Sequence, residues 1–339
     1  MLKQAKVGLV LSGGGAKGAY QVGVSKALAE LGTQVDMIAG ASIGALNGGI
    51  LASANNLAEG TVRLEKLWQT LAKASPLKAN IPSYIKLLVA AGGVLVPPAR
   101  LLALAVGAQE TSLLCDEPLN ELMSEYLEPQ RLAKGLPLYV SVFKSLGAAT
   151  DLGRCLLAAA GIKDTPDSVM LHLQSLPVSE QKNALLASAA LPALFKAREI
   201  QGQKYTDGGQ GGWSKSQGNT PIQPLIDAGC NMVIVTHLSD GALWSRHDFP
   251  DTTILEIRPQ SPIARESSTK DLLGFDGSKI PSWIEQGYRD TMHCMKRVQE
   301  ATQARSALVA AKQTLAESEA RAIEVDAERA EIMALLRGE

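Results

Sequence analysis

Hydrophobic and polar residues alternate in blocks along the N-terminal part of the chain. Lys6–Leu11 is a nearly continuous apolar run that predicts a buried β-strand. Apolar positions between Tyr20 and Leu31 then follow the spacing of one helix face. A second apolar run, Val35–Ala39, leads into a predicted helix at Ile43–Ala52. Because strands and helices alternate in this way, we expect βαβ units and a parallel sheet.

The same alternation resumes after residue 137. Further strands are predicted at Leu138–Ser145, Arg154–Ala158, Met232–Thr236 and Thr253–Ile257. Residues 147–151 are typical of a hairpin turn, which would make one edge of the sheet antiparallel. We therefore expect an α/β protein with three layers, α/β/α, around a mostly parallel central sheet.

Two more apolar runs lie within residues 81–114. Pro97, Pro98 and Arg100 separate them, and neither run approaches the ~20 residues of a bilayer span. Two short buried helices packed on the sheet are the simpler interpretation. The functional alternative is a cap or lid that lines an acyl tunnel or dips into a membrane.

The segment Ile284–Leu336 has neither glycine nor proline after Gly287, which predicts a long helix. Its apolar residues repeat with the 3-4 spacing of a helical hairpin or coiled coil. All positions of the repeat except Ser318 and Arg329 are apolar, and four are alanines, which bury little area. The helix would therefore pack back on the rest of the chain or serve in a homo-oligomer. The repeat comprises residues 301, 304, 308, 311, 315, 318, 322, 325, 329, 332 and 336.

Composition narrows the function. The net charge is −1 and aromatic residues make up 4% of the 339 residues, so nothing indicates nucleic-acid binding. The four cysteines are far apart and form no Cys-x-x-Cys pair, which argues against a disulfide framework or a structural zinc site and favours the cytoplasm. The first strand begins within ten residues of the start, so we expect no signal peptide, and we predict neither a metal nor a cofactor.

Ser42 is the leading candidate for a chemical role. It lies between Gly40 and Gly44, where a strand should turn into a helix, in the Gly-x-Ser-x-Gly pattern of a nucleophile elbow. Glycine is needed at both flanking positions because a Cβ would clash with the neighbouring helix or strand. Such a turn would lift the serine hydroxyl out of the end of the sheet, where an ester carbonyl can reach it.

A glycine loop at Ser12–Gly18 follows the first predicted strand. At a helix N-terminus such a loop presents unpaired amides, which is typical of an anion site. Residues 13–18 also satisfy the dinucleotide fingerprint, so a nucleotide-dependent oxidoreductase with Asp36 on the ribose is the alternative. That acid should end the second strand, whereas Asp36 precedes the strand that leads to Ser42. An oxyanion hole beside a nucleophile accounts for both motifs.

A third motif, Asp207-Gly208-Gly209, follows a predicted short strand. An isolated Asp-Gly pair is typical of a turn, but active sites assemble at strand C-termini in open α/β sheets. A triad with histidine is also open at this stage, since the chain contains four histidines. His237, at the end of a predicted strand, would lie near the site, or it would simply cap its strand or be solvated.

These motifs together resemble the signature blocks of patatin-like phospholipases. The matching blocks, in the family's order, are Gly-Gly-Gly-Ala-Lys-Gly at 13–18, Gly-Ala-Ser-Ile-Gly at 40–44, a segment at 187–195, Asp-Gly-Gly at 207–209 and Asn-Thr-Pro at 219–221. The resemblance implies a dyad of Ser42 and Asp207. It also implies an oxyanion hole formed by the backbone amides of Gly13, Gly14 and Gly15. Supporting motif positions are Lys17, Gly18, Gly40, Gly44, Gly208 and Gly209.

One departure from the family's pattern is Gln210–Gly218, which we expect to be a mobile loop over the site. The resemblance implies a patatin-like domain of residues 1–280, followed by a helical extension of residues 281–339. Its implied activity is that of a serine acyl hydrolase acting on phospholipids or lysophospholipids. Such a substrate implies transient contact with the membrane surface. We expect a cytoplasmic protein that can also bind peripherally to the inner membrane.

Family members can also be effectors that a partner or small molecule switches on. A cyclic-nucleotide activator and a role in bacterial antiphage defence are therefore expectations at the level of the family. The helical extension would be a reasonable place for such a regulatory interface. A catalytically inactive lipid-binding or scaffold protein is disfavoured because Ser42 and Asp207 are both present.

Overall fold

The computed structural model describes residues 5–73, 117–159, 163–192, 195–209, 218–239, 244–263, 275 and 277–338. The chain divides into two compact units, Met1–Thr291 and Met292–Glu339. Residues 81–114, for which short helices or a lid are predicted, lie outside the described residues, as does nearly all of the Gln210–Gly218 loop.

A single sheet of eight strands organises the described part of the first unit. The strands are β1 (Val7–Leu11), β2 (Met37–Ala41), β3 (Leu138–Lys144), β4 (Val169–His172), β5 (Arg198–Ile200), β6 (Gln203–Asp207), β7 (Met232–Thr236) and β8 (Thr253–Ile257). Their order in space is β5-β6-β3-β2-β1-β7-β8, and β4 pairs with β3 as well.

The sheet is parallel from β3 through β2, β1 and β7 to β8. Leu9, Val10 and Leu11 of β1 are fully buried, as expected for a parallel strand covered on both faces. The remaining strands, β4, β5 and β6, are antiparallel to their neighbours. The predicted mostly parallel α/β sheet with an antiparallel edge is therefore confirmed.

Helices cover both faces of this sheet. They are α1 (Ala19–Glu30), α2 (Ile43–Ala52), α3 (Leu57–Lys73), α4 (Glu117–Tyr126), α5 (Pro129–Leu132), α6 (Ala148–Ala159), α7 (Val178–Ser188), α8 (Gln223–Asp227) and α9 (Ile280–Arg337). On one face, Gly48 of α2 approaches the side chains of Leu11, Ile38 and Leu138. Successive strand residues point to opposite faces, so Val10 lies on the other side, packed with α8. The buried cluster on that side is Val10, Ala39, Ile222, Leu225, Cys230, Val233, Val235, Trp244 and Phe249.

One predicted strand is wrong. Arg154–Ala158 lies within α6, which begins at Ala148. Asp151, in the first turn of this helix, accepts hydrogen bonds from the Ser145 hydroxyl and, at 3.0 Å, from the Leu146 amide. These bonds fix the chain at the helix start, whereas a short apolar run alone does not distinguish a buried strand from a helix. The expected hairpin turn at 147–151 is consequently the first turn of α6.

The second unit consists of the continuation of α9 from Met292. The long C-terminal helix is confirmed and runs without interruption, so the hairpin alternative is wrong. Residues 298–337 are solvent-exposed, except for the half-buried Ala334. Helix α9 begins at Ile280, and the compact first unit extends to Thr291. The division into domains at residue 280 stays a prediction.

Candidate active site

Ser42 occupies the turn between β2 and α2 and is half-buried. Its backbone adopts φ 52° and ψ −126°, a conformation that a residue with a Cβ rarely takes. Such local strain is found at active sites where the surrounding structure holds it in place. The turn thus has the strand–turn–helix geometry that the sequence predicts for a nucleophile elbow.

Close backbone contacts explain the two glycines that flank this turn. A Cβ built on Gly44 would lie 2.0 Å from the carbonyl oxygen of Leu11, and one on Gly40 would lie 2.6 Å from the carbonyl oxygen of Gly44. Both neighbours are backbone atoms, which cannot move aside as a flexible side chain can. Helix α2 therefore approaches β1 and β2 at a distance that excludes any side chain at either position.

Buried Ser188, at the end of α7, supports the turn from below. Its hydroxyl accepts a hydrogen bond of 2.9 Å from the Ser42 amide and donates one of 2.7 Å to the carbonyl oxygen of Ser141 in β3. Sequence reasoning did not assign Ser188 a role. The available signal was its place in the segment 187–195, which resembles a family block.

Asp207, the last residue of β6, lies beside the serine. Its Oδ2 accepts a hydrogen bond of 2.7 Å from the Ser42 hydroxyl, and its Oδ1 accepts one of 2.6 Å from the Gly209 amide. A Cβ on Gly208 would lie 1.9 Å from the Ser141 carbonyl oxygen, so the turn after Asp207 presses directly on β3. The Asp-Gly-Gly sequence thus gives the carboxylate an amide donor and gives the chain room to turn.

Strand register explains how two residues so distant in sequence meet. Ala41 of β2 lies opposite Ser141 of β3, so Ser42 comes level with the next residue, Val142. On the other side of β3, Val142 is paired with Asp207. Strand β6 is antiparallel to β3, so it runs from the carboxyl end of β3 towards its amino end. Asp207, the last residue of β6, therefore lies two residues before the end of β3 and level with Ser42.

Burial changes the acidity of Asp207. The side chain is 1% exposed, and the loss of hydration raises the pKa of its carboxyl group from 3.8 to about 7. Hydrogen bonds from Ser42 and Gly209 oppose this rise because they stabilise the charged form. The balance gives a carboxylate that can both accept and release a proton near neutral pH.

The glycine loop after β1 lies directly against the serine. A Cβ built on Gly13 would lie 3.2 Å from the Cβ of Ser42 and 2.5 Å from Oδ1 of Asn219. The Gly13 amide donates to the Asn219 carbonyl oxygen at 3.2 Å, and the hydroxyls of Ser12 and Thr220 are 2.9 Å apart. The loop is therefore bound to the segment 219–221, another of the blocks found in the sequence.

The rest of the loop leads into α1. Gly14 and Gly15 are half-buried, and a short 3₁₀ helix spans Gly15–Gly18. The first amides of a helix lack partners within it, which leaves them available to an anion. Lys17 is half-buried, whereas Gly18 is buried, and a Cβ on it would lie 2.5 Å from the Ile43 side chain.

A buried amide network under the loop was missed by sequence reasoning. Asn47 of α2 donates to the Gly18 carbonyl oxygen at 3.1 Å and to the Gln21 side chain at 2.8 Å. Gln21 in turn donates to the Ser12 carbonyl oxygen at 2.7 Å, and Trp68 donates to Asn47 at 3.0 Å. In the sequence Asn47 is only a weak position for a helix; its partners become visible in the fold.

His237 follows β7 but interacts elsewhere. Its imidazole Nε2 lies 3.1 Å from Oε2 of Glu256 and its ring packs on Trp244. The residue directly follows β7 and is 2% exposed, so of the two structural alternatives the solvated side chain is wrong. The Ser42 hydroxyl donates directly to Asp207, without an imidazole between them.

Asp36 lies at the opposite end of the sheet from the glycine loop. It directly precedes β2, and its carboxylate accepts a hydrogen bond of 2.7 Å from the amide of Val7, the first residue of β1. A ribose-binding acid belongs at the carboxyl ends of the strands. The position of Asp36 therefore removes the acid that the dinucleotide interpretation requires.

The layered fold and the serine at its strand–helix turn define an α/β protein with a nucleophile elbow. A family model described as patatin-like phospholipase matches residues 9–226. The chain therefore belongs to the patatin-like phospholipase family, as its motifs predict.

Several curated relatives match a short stretch of the chain. Lysophospholipase nte1 of Aspergillus terreus is 63% identical over 46 residues, 14% of this chain and 3% of that protein. Patatin-like phospholipase domain-containing protein 7 of Mus musculus is 44% identical over 66 residues, 20% of this chain and 5% of that protein. Neuropathy target esterase sws of Drosophila melanogaster is 53% identical over 51 residues, which are 15% of this chain and 4% of that protein. The matched stretches thus span 3% to 5% of the relatives' length.

Two solved structures resemble the chain over most of its length. VipD from Legionella pneumophila has a TM-score of 0.42 and 15% identity, covering 86% of this chain and 67% of that one. The type III effector protein ExoU has a TM-score of 0.39 and 17% identity, covering 87% of this chain and 53% of that one.

Within the part of the chain that the structure describes, no helix is long and apolar enough to cross a membrane. The same part contains no cluster of side chains suited to a metal ion.

Proposed function

We propose that the chain is a serine acyl hydrolase that cleaves ester bonds of phospholipids or lysophospholipids, with Ser42 as nucleophile and Asp207 as base. One observation carries the proposal: the hydroxyl of a strained serine donates a 2.7 Å hydrogen bond to a buried carboxylate. A serine hydroxyl is a weak nucleophile unless an adjacent base removes its proton. Asp207 is in hydrogen-bonding position to do so.

Catalysis by this pair would take place in two steps. In the first, Asp207 accepts the hydroxyl proton while Ser42 Oγ attacks the ester carbonyl carbon. The C–O bond to the alcohol then breaks, the alcohol takes that proton from Asp207 as it leaves, and an acyl-enzyme remains. In the second, Asp207 takes a proton from water, which attacks the acyl carbon. The bond to Ser42 Oγ then breaks, Asp207 returns the proton to Oγ, and the fatty acid is released. A base is most effective when its pKa lies near the working pH, and the pKa of about 7 for Asp207 meets that condition.

The oxyanion hole is the second part of the proposal. The tetrahedral intermediate carries a negative oxygen that preorganised amides stabilise. Gly13 already gives its amide to Asn219, so we assign the donor role to the amides of Gly14 and Gly15 and assign Gly13 to positioning the loop. The contact between Gly13 and the Ser42 side chain brings these donors to the nucleophile.

The lipid substrate is supported by the family, by relatives named as a lysophospholipase and an esterase, and by an apolar pocket. The pocket, with a cavity volume of only about 20 Å³, lies between α2, α3 and α4. Ile43, the residue after Ser42, contributes to its wall. Its lining matches an acyl chain in polarity, whereas its volume admits no more than a small part of one. Apolar residues that line it are Ile43, Leu46, Leu67, Leu71, Leu119, Leu122, Met123 and Phe275.

Further parts of the proposal derive from the resemblance to the family. They are transient contact with the membrane surface, activation by a cyclic nucleotide, and a role in bacterial antiphage defence. A cytoplasmic location also stays a prediction.

A fluorophosphonate probe tests the proposal, because it labels only an activated serine. We expect a label on Ser42, identified by peptide mass spectrometry, that disappears in Ser42→Ala and persists in Ser175→Ala, which removes an exposed serine. Release of fatty acid from lysophospholipid and phospholipid vesicles should follow the same pattern. The folded protein should be tested alone and with cyclic dinucleotides, and absence of labelling under all conditions would contradict the hydrolase.

A further inference from the structure

One face of the second unit exposes a row of apolar side chains. We call the residues of the 3-4 repeat in α9 between Ala301 and Leu336 the C-terminal stripe. Leu308 is 56% exposed, Leu315 59% and Ile332 57%. Apolar side chains repeated with this spacing on a continuous helix form the seam of a coiled coil when a second helix covers them. The stripe therefore calls for a partner with a matching helix.

We propose that this partner is a second copy of the chain, and that the two C-terminal stripes pack against each other as an antiparallel coiled coil. The spacing assigns the heptad positions. Positions a are Ala301, Leu308, Leu315, Ala322, Arg329 and Leu336, and positions d are Ala304, Ala311, Ser318, Val325 and Ile332.

The sizes of the side chains at positions a and d favour the antiparallel direction. In an antiparallel pair, position a of one helix faces position d of the other. When Ala301 of one copy is aligned with Ile332 of the second copy, most layers combine a large side chain with a small one. The layers are Ala301 with Ile332, Ala304 with Arg329, Leu308 with Val325, Ala311 with Ala322, and Leu315 with Ser318.

Arg329 gives the strongest reason to exclude the parallel direction. In a parallel pair in register, Arg329 would face Arg329 of the second copy within the seam, which places two like charges opposite each other. In the antiparallel pair it faces Ala304 of the second copy, whose small side chain leaves room for the arginine stem to lie along the seam and reach water. The residue that interrupts the stripe thus sets its direction.

The charges that flank the seam also favour the antiparallel direction, independently of side-chain size and of Arg329. Positions e, which border the seam, are basic in the first half of the stripe, at Arg305 and Lys312, and acidic in the second half, at Glu319 and Asp326. In an antiparallel pair, e positions of one helix lie along e positions of the other. The basic half of each copy then borders the acidic half of its partner, and such pairs set partner choice and orientation.

A membrane surface fits the same helix less well. Helices that lie on anionic membranes carry a basic polar face. Residues 292–338 contain seven basic side chains (Lys296, Arg297, Arg305, Lys312, Arg321, Arg329 and Arg337) and seven acidic ones (Glu300, Glu317, Glu319, Glu324, Asp326, Glu328 and Glu331). A balanced charge favours a protein partner of the same composition.

Charge reversal tests the proposal on the full-length chain. By light scattering, the wild type should have twice the monomer mass of 35.8 kDa. Arg305→Glu with Lys312→Glu, and separately Glu319→Lys with Asp326→Lys, should each weaken dimerisation at least ~10-fold, because like charges then border the seam. Mixing the two variants should restore a dimer, since every bordering pair becomes opposite again. The matched control Glu317→Lys with Glu324→Lys changes the same charge on the outer face and should stay dimeric.

Cross-linking tests the direction. Ala311→Cys in one preparation and Ala322→Cys in another should form a mixed cross-link with a short bis-maleimide, identified by mass spectrometry. The two positions are ~17 Å apart along one helix, so a parallel pair would instead link Ala311→Cys to itself and overturn the proposal. A chain that stays monomeric at 100 µM overturns it too. If that monomer binds phospholipid vesicles, and the binding is lost with Leu315→Glu, the stripe is a lipid-binding surface.

Discussion

The Ser42 hydroxyl donates a 2.7 Å hydrogen bond to Oδ2 of Asp207 across strand β3, which pairs with the strands that carry both residues. The contact joins residues separated by 165 positions in the chain. It leaves one carboxylate oxygen for the Gly209 amide, so both oxygens have a donor. If the pair acts as a dyad, its two members form one unit, and that has a kinetic consequence.

Ser42→Ala and Asp207→Asn should each lower kcat for ester hydrolysis by at least ~1,000-fold, because one removes the nucleophile and the other its base. Residues that act as a unit give non-additive losses, so the double variant should be no slower than Ser42→Ala. Fatty-acid release measures all three. Activity above 10% of wild type in Asp207→Asn would show that another group is the base.

His237→Ala should retain most of the activity, since the Ser42 proton is accepted without an imidazole. The variant should unfold more easily, by about 0.5–3 kcal/mol, because it removes a buried imidazole that bonds to Glu256 and packs on Trp244. Glu256 itself keeps its hydrogen bonds from Arg258. Chemical denaturation and fatty-acid release on the same preparation separate the two effects. A loss of activity as deep as that of Ser42→Ala, in a folded protein, would favour a histidine triad.

Ser188→Ala tests the support of the elbow. The variant leaves the half-buried Ser42 amide and the buried Ser141 carbonyl oxygen without their hydroxyl partner, at an expected cost of about 1–3 kcal/mol in the free energy of unfolding. Fluorophosphonate labelling of Ser42 should slow as well, because the strained turn loses a constraint. Ser188→Thr, which keeps the hydroxyl, should recover part of the labelling rate. An unchanged rate in Ser188→Ala would mean that neighbouring contacts alone hold the turn.

Gly44→Ala and Gly153→Ala form a matched pair of substitutions. At Gly44 the new methyl group would lie 2.0 Å from the Leu11 carbonyl oxygen, so α2 must move away from β1, and stability and labelling of Ser42 should both fall. At Gly153, in α6, nothing lies within 4 Å, and alanine should stabilise the helix by about 0.5–1 kcal/mol. The melting temperature should therefore fall in Gly44→Ala and rise in Gly153→Ala. The labelling rate should fall in Gly44→Ala and stay unchanged in Gly153→Ala. Equal destabilisation of both variants would contradict the close contact at Gly44.

The pKa of about 7 for Asp207 predicts two effects of pH. Hydrolysis needs the carboxylate, so kcat/KM should decline about tenfold per pH unit below pH 7. Stability should change in the opposite direction. Since the folded state holds the proton more tightly than the unfolded state, with a pKa of 3.8, it binds more protons between pH 4 and 7 and loses stability as the pH rises through that range.

Asp207→Asn removes this penalty and provides the control. Relative to wild type, the variant should gain stability at pH 8 and lose that advantage at pH 4, by about 1.4 kcal/mol per unit of pKa shift at most. Urea denaturation at the two pH values measures the difference. A flat difference between pH 4 and pH 8 would show that burial does not raise the pKa.

Local parts of the site could be predicted from the sequence. The glycines at 40 and 44 and the loop at 13–18 act within one strand–turn–helix each, and the spacing of the motif states what the backbone needs. The neighbours of Ser188 and Asn47 could not be predicted, because their partners come from other strands and helices. The same limit explains Arg154–Ala158: its apolar pattern fits a strand, and the capping contacts of Asp151 decide for a helix.

The long C-terminal helix was predictable from the absence of glycine and proline, since its continuity depends on local propensity. Whether this helix folds back as a hairpin could not be predicted. A hairpin and a single helix that packs against another chain have the same 3-4 repeat of apolar residues. The antiparallel edge was expected for the wrong reason: the hairpin assigned to residues 147–151 is helical, and the antiparallel strands come later, at Val169–His172 and after Arg198.

The order of the strands along the chain also has a consequence for synthesis of the protein. A ribosome releases β2 and α2, with the elbow of Ser42, long before it releases β6. Until β6 pairs with β3, Ser42 lacks its carboxylate, and the nascent chain would carry a serine without a base. A hydrolase built in this order would remain inert towards the lipids of its own cell during translation, and acquire its activity only when the sheet closes around β3.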